Sequence, residues 1–477
     1  MLIGNNLVQS DSEIVEELNN FFVSVFTTEK PGHLPIIPVD NMEKLSDIFI
    51  APDVIFKKLS NLKGHKAPGP DKIYPKMLKE CALEVCVPLS IIFRKSLDEG
   101  IVCKNWKLAN ITPLFKKGDK NLVQNYRPIS LTSVPCKILE SLIKDQLVQH
   151  LEKFNIITNT QHGFIKGKSC LTNLLEYLEY ITDQVDQGNP VDSILLDFSK
   201  AFDKVPHQRL LLKLKSVGIS GKLLVWIEQW LTGRKQSVVL NDVNSKWRPV
   251  LSGVPQGSVL GPILFIIYVN DMDNCVSSNI SKFADDTKIF HKASSSEDYD
   301  RLQNDLQRLI EWANLWQMEF NASKCKVLHF GSNNRGFNYN INGVNLEAEV
   351  SEKDLGVIIS KDLKPEKHVN EVVLKANRLL GMVYRSIENK SKDIIVPLYC
   401  SLIRPHLEYC IQVWRPYYIK DITKIEKVQK RAISMIEGLN GLSYHAKLKE
   451  VGLDTLENRR IRNDMVEVYK QLAHCDK

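Results

Sequence analysis

Phe283-Ala284-Asp285-Asp286 sets two adjacent carboxylates between short apolar runs, Ile280 to Ala284 before and Ile289-Phe290 after. That pattern predicts strand, tight turn, strand, with the aspartates at the tip of a hairpin. Neighbouring carboxylates repel, and a divalent cation reverses the cost. A third candidate, Asp197, ends the strand-like run Ser193-Ile194-Leu195-Leu196. A carboxylate at the end of a buried strand is costly unless paired or metal-bound. Together the three form a donor set for two Mg²⁺ ions. Two-metal chemistry uses such a set to activate a 3′-hydroxyl and to neutralise a leaving pyrophosphate.

The elements that must position these groups mix sheet and helix. Periodicity predicts helices over Asp11 to Phe26, Pro75 to Leu97, Lys137 to Phe154, Cys170 to Gln187, from Pro206 to about Val217, and Gly221 to Leu231. Strands are expected over Trp106 to Phe115, Val191 to Phe198 and Lys326 to Phe330. A Pro-rich loop is expected from Pro31 to Pro38, a basic Gly/Pro-rich loop from Asn61 to Pro70, and a turn at Gly253 to Gly257 before a long apolar helix. Ser296 is the expected cap of a helix whose apolar face holds Leu302, Leu306, Leu309, Ala313 and Trp316. Asn342-Gly343 predicts a type I′ hairpin. From Pro365 onward the chain reads as helix, with breaks at Pro397, Pro405 and Pro416.

The 477 residues are 43% hydrophobic and 25% charged, which excludes a disordered chain. No apolar run reaches the roughly 18 residues of a membrane span, and no basic-then-apolar signal follows Met1. The expectation is an intracellular protein. The ten cysteines contain no Cys-x-x-Cys pair, as expected of reduced thiols and not of a zinc site. Net charge is +7, and residues 361–477 hold the whole excess, with 22 Lys/Arg against 15 Asp/Glu. That asymmetry hints at a polyanion-binding lobe.

Several motifs, in order, resemble those of non-LTR retrotransposon (LINE-type, jockey-like) reverse transcriptases. Leu196-Asp197-Phe198-Ser199-Lys200-Ala201-Phe202-Asp203 is similar to their polymerase motif A, the segment Ser252 to Pro262 to motif B, and Phe283 to Asp286 to motif C. Ala67-Pro68-Gly69-Pro70-Asp71 and Asn125 to Leu131 resemble fingers motifs, and Asn321 to Cys325 resembles motif D. Asp354-Leu355-Gly356-Val357 resembles the primer-grip hairpin, where the family usually has an aromatic at the position of Asp354.

The resemblance implies an α+β right-hand polymerase. Residues 1–54 would form an N-terminal helix and linker, 55–190 the fingers, 191–360 the palm, and 361–477 a basic helical thumb with its extension; the reverse transcriptase domain would span about 97–360. It implies that Asp197, Asp285 and Asp286 bind two Mg²⁺ ions, with Mn²⁺ as a substitute, and that the Phe198 carbonyl adds a ligand. Lys117, Arg127, Phe202, Gln256 and Gly257 would form the dNTP site, with Phe202 as a steric gate against a 2′-hydroxyl. Lys116 is placed as well as Lys117 for the triphosphate. Lys324 would be a general acid, and Leu355 and Gly356 the primer grip. On the helix expected over Asp421 to Ile436, Lys424, Lys427, Lys430 and Arg431 would track a nucleic-acid backbone.

The implied partners are an RNA template, a DNA primer and dNTPs, in a ribonucleoprotein of cytoplasm and nucleus and without a membrane. Two other readings are a copy that only binds nucleic acid and an RNA-templated RNA polymerase. Elements of this type resemble a fusion with an apurinic-like endonuclease, for which no candidate segment occurs in these residues; the expectation is an endonuclease-less, truncated copy.

Overall fold

A computed structural model describes residues 2–3, 6–8, 10–29, 34–37 and 42–475. The ends of the expected Pro31 to Pro38 loop lie outside them. The chain gathers into two compact units that alternate along the sequence. The first comprises Met1–Phe164, Leu196–Thr287 and Asn304–Lys324, and the second Ile165–Leu195, Lys288–Gln303 and Cys325–Lys477.

The first unit contains a sheet in which Leu108–Phe115 lies between Tyr126–Thr132, antiparallel, and Lys235–Leu240, parallel. The last strand has no counterpart among the sequence expectations. It is short and pairs with a strand more than a hundred residues earlier, although Asn241 and Asp242, both at positive φ, also turn it into Val243–Asn244 as a tight hairpin. The helix Asp11–Ser24 buries Val15, Leu18 and Phe22 against Ala109, Ile111 and Val238 of this sheet. Its buried Asn19 donates to Ser245 Oγ and the Lys246 carbonyl, both at 2.8 Å. The helix expected over Asp11 to Phe26 is thus part of the core of the first unit. Beyond the helix, Glu29 accepts from the Arg209 guanidinium at 3.0 Å and from the amides of Gln208 and Arg209, satisfying the first turn of His207–Ser216.

The second unit holds strands in the order Glu347–Glu349, Lys326–Phe330, Val191–Leu196, Asp286–Lys292. Val191, Phe290, Leu328 and Phe330 pack with Tyr177 of helix Cys170–Asp186 and with the C-terminal helices. Asn342 and Gly343 both have positive φ between Asn340–Ile341 and Val344–Asn345, as a type I′ turn requires. Three local expectations need correction. The expected helix over Pro75 to Leu97 is two helices, Pro75–Glu80 and Ala82–Glu99. Ser295, not Ser296, caps Ser296–Leu315, its Oγ accepting from the Asp298 amide at 3.2 Å. Pro397 does not end its helix: Lys392–Leu398 runs through a π-helical turn, Tyr399–Ile403, into Arg404–Glu408, which carries Pro405 in its first turn. No helix among the described residues is long and apolar enough to cross a membrane.

Candidate active site

Asp285 stands at the hairpin tip between Asn279–Phe283 and Asp286–Lys292. The turn needs a left-handed residue, and Ala284 takes that role with φ of 56°. A non-glycine residue there needs support. Gln161 supplies it: its Oε1 accepts from the Ala284 amide at 2.9 Å and the Gly163 amide at 2.8 Å. The Thr160 carbonyl and His162 amide bond the main chain of Lys282, each at 2.9 Å. Asp285 is half-buried and Asp286 exposed.

Asp197 follows its strand directly. Its carbonyl accepts from the Asn321 amide at 2.8 Å, and the Ser199 amide bonds the Glu319 carbonyl at 2.8 Å. These bonds, with the Phe198 ring stacked on Phe320 at 4.4 Å, splice the motif A turn to the segment that ends at Lys324. Lys324 Nζ lies 3.5 Å from Asp197 Oδ2.

Asp285 feels the charge of Asp197. Burial first, then the Asp197 charge, raises the Asp285 carboxyl above the usual range, while Arg127 and Lys116 pull it back. The Lys116 ammonium is lowered by burial and by Arg127 and Lys324. Lys200 is lowered by burial, opposed by Asp203, with Lys324, Lys116 and Arg127 adding to the fall. Lys116, Arg127 and Lys324 thus act on one or both of Asp197 and Asp285, while Lys200, its ammonium 5.0 Å from the centre of the Phe21 ring, feels those three cations. Lys200 was not among the expected site residues, although it lies inside motif A. Lys116, next to the expected Lys117, is the lysine that couples to both Asp197 and Asp285. Arg127 faces Leu114 in the strand pair that delivers Lys116.

The motif B turn closes the other side. Gly257, at φ of 124°, lies so close to Tyr126–Thr132 that a Cβ would stand 2.5 Å from the Ser130 carbonyl oxygen. The Ser130 amide in turn donates to the Gln256 carbonyl at 2.7 Å. Gly253, at φ of 87°, leaves 2.7 Å between a Cβ and the carbonyl oxygens of Phe202 and Asp203. Both positions need glycine for approach as well as for φ. Buried Glu140, missed in the sequence, accepts from the Val259 and Leu260 amides at 2.7 and 3.3 Å, capping the apolar helix Gly261–Tyr268. That helix supplies Phe265, on which Phe202 stacks at 4.4 Å.

The donor set is hard carboxylate oxygen, and a half-buried Asp285 beside Asp197 is a pair whose ionised form a divalent cation would stabilise. The residues therefore fit Mg²⁺. The fit is one of donor chemistry: among the described residues no group of three or more His, Cys, Asp or Glu side chains stands close enough together to hold an ion.

The remaining expected residues lie in the second unit. Leu355 and Gly356, with φ of 45° and 90°, form the turn between Ser351–Asp354 and Val357–Ser360. Tyr409 Oη donates to the Leu355 carbonyl at 2.9 Å. Asp354, where an aromatic was expected, forms a buried ion pair with Lys288, whose ammonium sits 4.4 Å from the centre of the Tyr177 ring. The helix expected over Asp421 to Ile436 spans Ile419–Ile433. Lys424 bonds Asp421 and Asn370, and Arg431 bonds Asn377 at 3.4 Å; Lys427 and Lys430 are exposed.

Residues 115–365, more than half the chain, match the family described as "Reverse transcriptase (RNA-dependent DNA polymerase)". The chain is 30% identical over 432 residues to "RNA-directed DNA polymerase from mobile element jockey" of Drosophila funebris, covering 87% of this chain and 46% of that protein. It is 28% identical to "Probable RNA-directed DNA polymerase from transposon X-element" of Drosophila melanogaster, with 87% and 46% covered. A more distant relative, 26% identical, is the Pol polyprotein of the type-1 retrotransposable element R1 of Bradysia coprophila, with 80% and 38% covered. The chain spans about half the length of the first two of these relatives.

Proposed function

The chain belongs to the reverse transcriptase (RNA-dependent DNA polymerase) family, and from that premise we propose that it extends a primer 3′-hydroxyl with dNTPs on an RNA template. The observation that carries this reading is Asp285 at its hairpin tip feeling the charge of Asp197, with Lys324 Nζ 3.5 Å from Asp197 and with Arg127 and Lys116 acting on Asp285. Asp197, Asp285 and Asp286, with the Phe198 carbonyl, would hold two Mg²⁺ ions, or Mn²⁺ in their place. When bound, such ions activate the primer hydroxyl and neutralise the pyrophosphate.

The protein's own groups do the rest. Lys116, Arg127 and Lys200 receive the triphosphate, the guanidinium in bidentate fashion. Lys324, beside Asp197, gives its proton to the departing pyrophosphate. Gln256 and Gly257 lie against the nascent base pair. Leu355 and Gly356 hold the primer end, and Lys427 and Lys430 offer exposed charge to a phosphate backbone. A nicked DNA end is the primer, in a fingers–palm–thumb arrangement.

Primer extension by purified protein on primed RNA tests the reading. Folded protein that makes no product at any Mg²⁺ or Mn²⁺ concentration would overturn it. Two substitutions probe the pocket. Phe202→Ala removes the ring that Phe265 pins beneath the sugar, and selectivity for dNTP over NTP should fall at least about tenfold; an unchanged ratio in single-nucleotide incorporation removes the gate role. Lys116→Ala should raise the dNTP KM about tenfold or more, against about twofold for Lys117→Ala. The reverse ranking would return the triphosphate contact to Lys117.

A further inference from the structure

Gln256 does not hang freely in the motif B turn. Its Nε2 lies 3.0 Å from both carboxylate oxygens of Asp203. Asp203 is only 8% exposed, and its backbone is fixed: the carbonyl accepts from Ser252 Oγ at 2.7 Å and lies against Gly253. On either side of it, the Val254 amide donates to the Phe202 carbonyl at 2.8 Å and the Gly253 amide to the Val205 carbonyl at 2.8 Å. The backbone that carries the carboxylate is therefore fastened to the motif B turn that carries the amide. Burial lifts the Asp203 pKa to about 6, against the opposing pull of Gln256, Lys200 and Arg127. At neutral pH the ionised form predominates, and an ionised carboxylate only accepts hydrogen bonds. The amide must then turn its nitrogen inward, so its orientation follows from chemistry and not from the choice of which end is nitrogen. Both side-chain hydrogen bonds of Gln256 go from Nε2 to Asp203, which leaves Oε1 without a partner among the described residues.

We propose that Asp203 is a positioning residue that locks the Gln256 amide with its carbonyl oxygen toward the nucleotide, so that the pocket selects substrates presenting a hydrogen-bond donor at that point. The proposal rests on the polymerase reading, which places Gln256 at the nascent base pair. The donor is either a hydroxyl of the nucleotide sugar or an amino group on the edge of a base. A free glutamine would serve donors and acceptors alike by rotating its amide; a locked one discriminates.

The test compares the parent protein with Asp203→Asn, with Gln256→Glu and with the double variant that carries both changes. Each is assayed for nucleotide binding to the protein with primer–template and Mg²⁺, and for single-nucleotide extension. One arm sets dNTPs against their 3′-deoxy analogues, the other dGTP against dITP, which lacks the amino group. The parent should prefer the donor-bearing nucleotide about five- to tenfold, the worth of one hydrogen bond, in the arm that carries the donor. In Asp203→Asn the introduced amide offers both a donor and an acceptor, so the Gln256 amide turns either way and the preference should collapse. In Gln256→Glu two carboxylates face each other, and nucleotide binding should weaken throughout. In the double variant the amide introduced at position 203 donates to the carboxylate introduced at position 256. The other oxygen of that carboxylate again faces the nucleotide, and the preference should return.

A preference unchanged in Asp203→Asn, a double variant no more selective than Asp203→Asn, or a parent with no preference in either arm would each overturn the assignment. Binding preferences that behave as expected without any extension would leave the assignment standing and overturn the polymerase reading instead.

Discussion

Replacing Asp285 and Asp286 together by asparagine is expected to lower primer extension by at least about a thousandfold, the scale on which losing preorganised charge stabilisation acts. Asparagine keeps the shape and hydrogen-bonding capacity of the tip and removes both charges. Asp286 is exposed, and Asp285 is held against the cost of burial and of the Asp197 charge. Neutralising them should therefore leave the fold intact or more stable when no divalent ion is present. The expected signature is split: extension lost, duplex binding within about twofold of the parent because phosphate contacts carry it, and an unchanged or raised melting temperature in metal-free buffer. Activity that survives the double change would show that these carboxylates do not hold the catalytic ions. A melting temperature that falls steeply would assign them a structural role instead.

The second large effect concerns stability. Lys288 and Asp354 form an ion pair with side chains only 5% and 8% exposed. Breaking such a pair from one side leaves a buried charge without a partner, at about 3–5 kcal/mol. Asp354→Ala should cost that much in chemical denaturation. Lys288→Met with Asp354→Phe, which removes both charges and sets an aromatic ring where the resemblance expected one, should recover most of the loss. A double variant as unstable as the single one would show that volume, not charge, governs the site.

The same pair shows what was legible in the sequence and what was not. The resemblance predicts an aromatic at Asp354, and the departure is explained only by Lys288 and Tyr177, which the fold brings around it. The Asp285-Asp286 hairpin, the Asn342-Gly343 turn and the helix Gly221–Leu231 were readable because each is specified by adjacent residues. What escaped was long-range. The strand Lys235–Leu240 pairs with a strand more than a hundred residues earlier. Glu140, Gln161 and Asp203 are buried polar groups whose partners lie 119, 123 and 53 residues away. Each resembled a surface residue, because a single sequence does not show which polar side chain will be enclosed. Lys116 and Lys117 were equivalent as neighbours in a loop. The charges of Asp197 and Arg127 act on the partly buried Lys116 ammonium, and only the fold of the strand pair brings them to it.

The alternation of the two units along the chain has a consequence for biosynthesis. The first unit is not complete until Asn304–Lys324 has been made, and the second begins at Ile165 but needs segments that extend past Cys325. Neither can therefore close as a finished N-terminal module while the ribosome is still reading the middle of the message. At about 5–20 residues per second, the nascent chain spends on the order of ten seconds with the strand Val191–Leu196 made but its partner Lys326–Phe330 not yet synthesised. Exposed strand edges of that kind invite mispairing. Early association with a nucleic acid or with a chaperone would shield the chain during this interval, so the yield of folded protein should depend on the rate of translation as well as on the sequence.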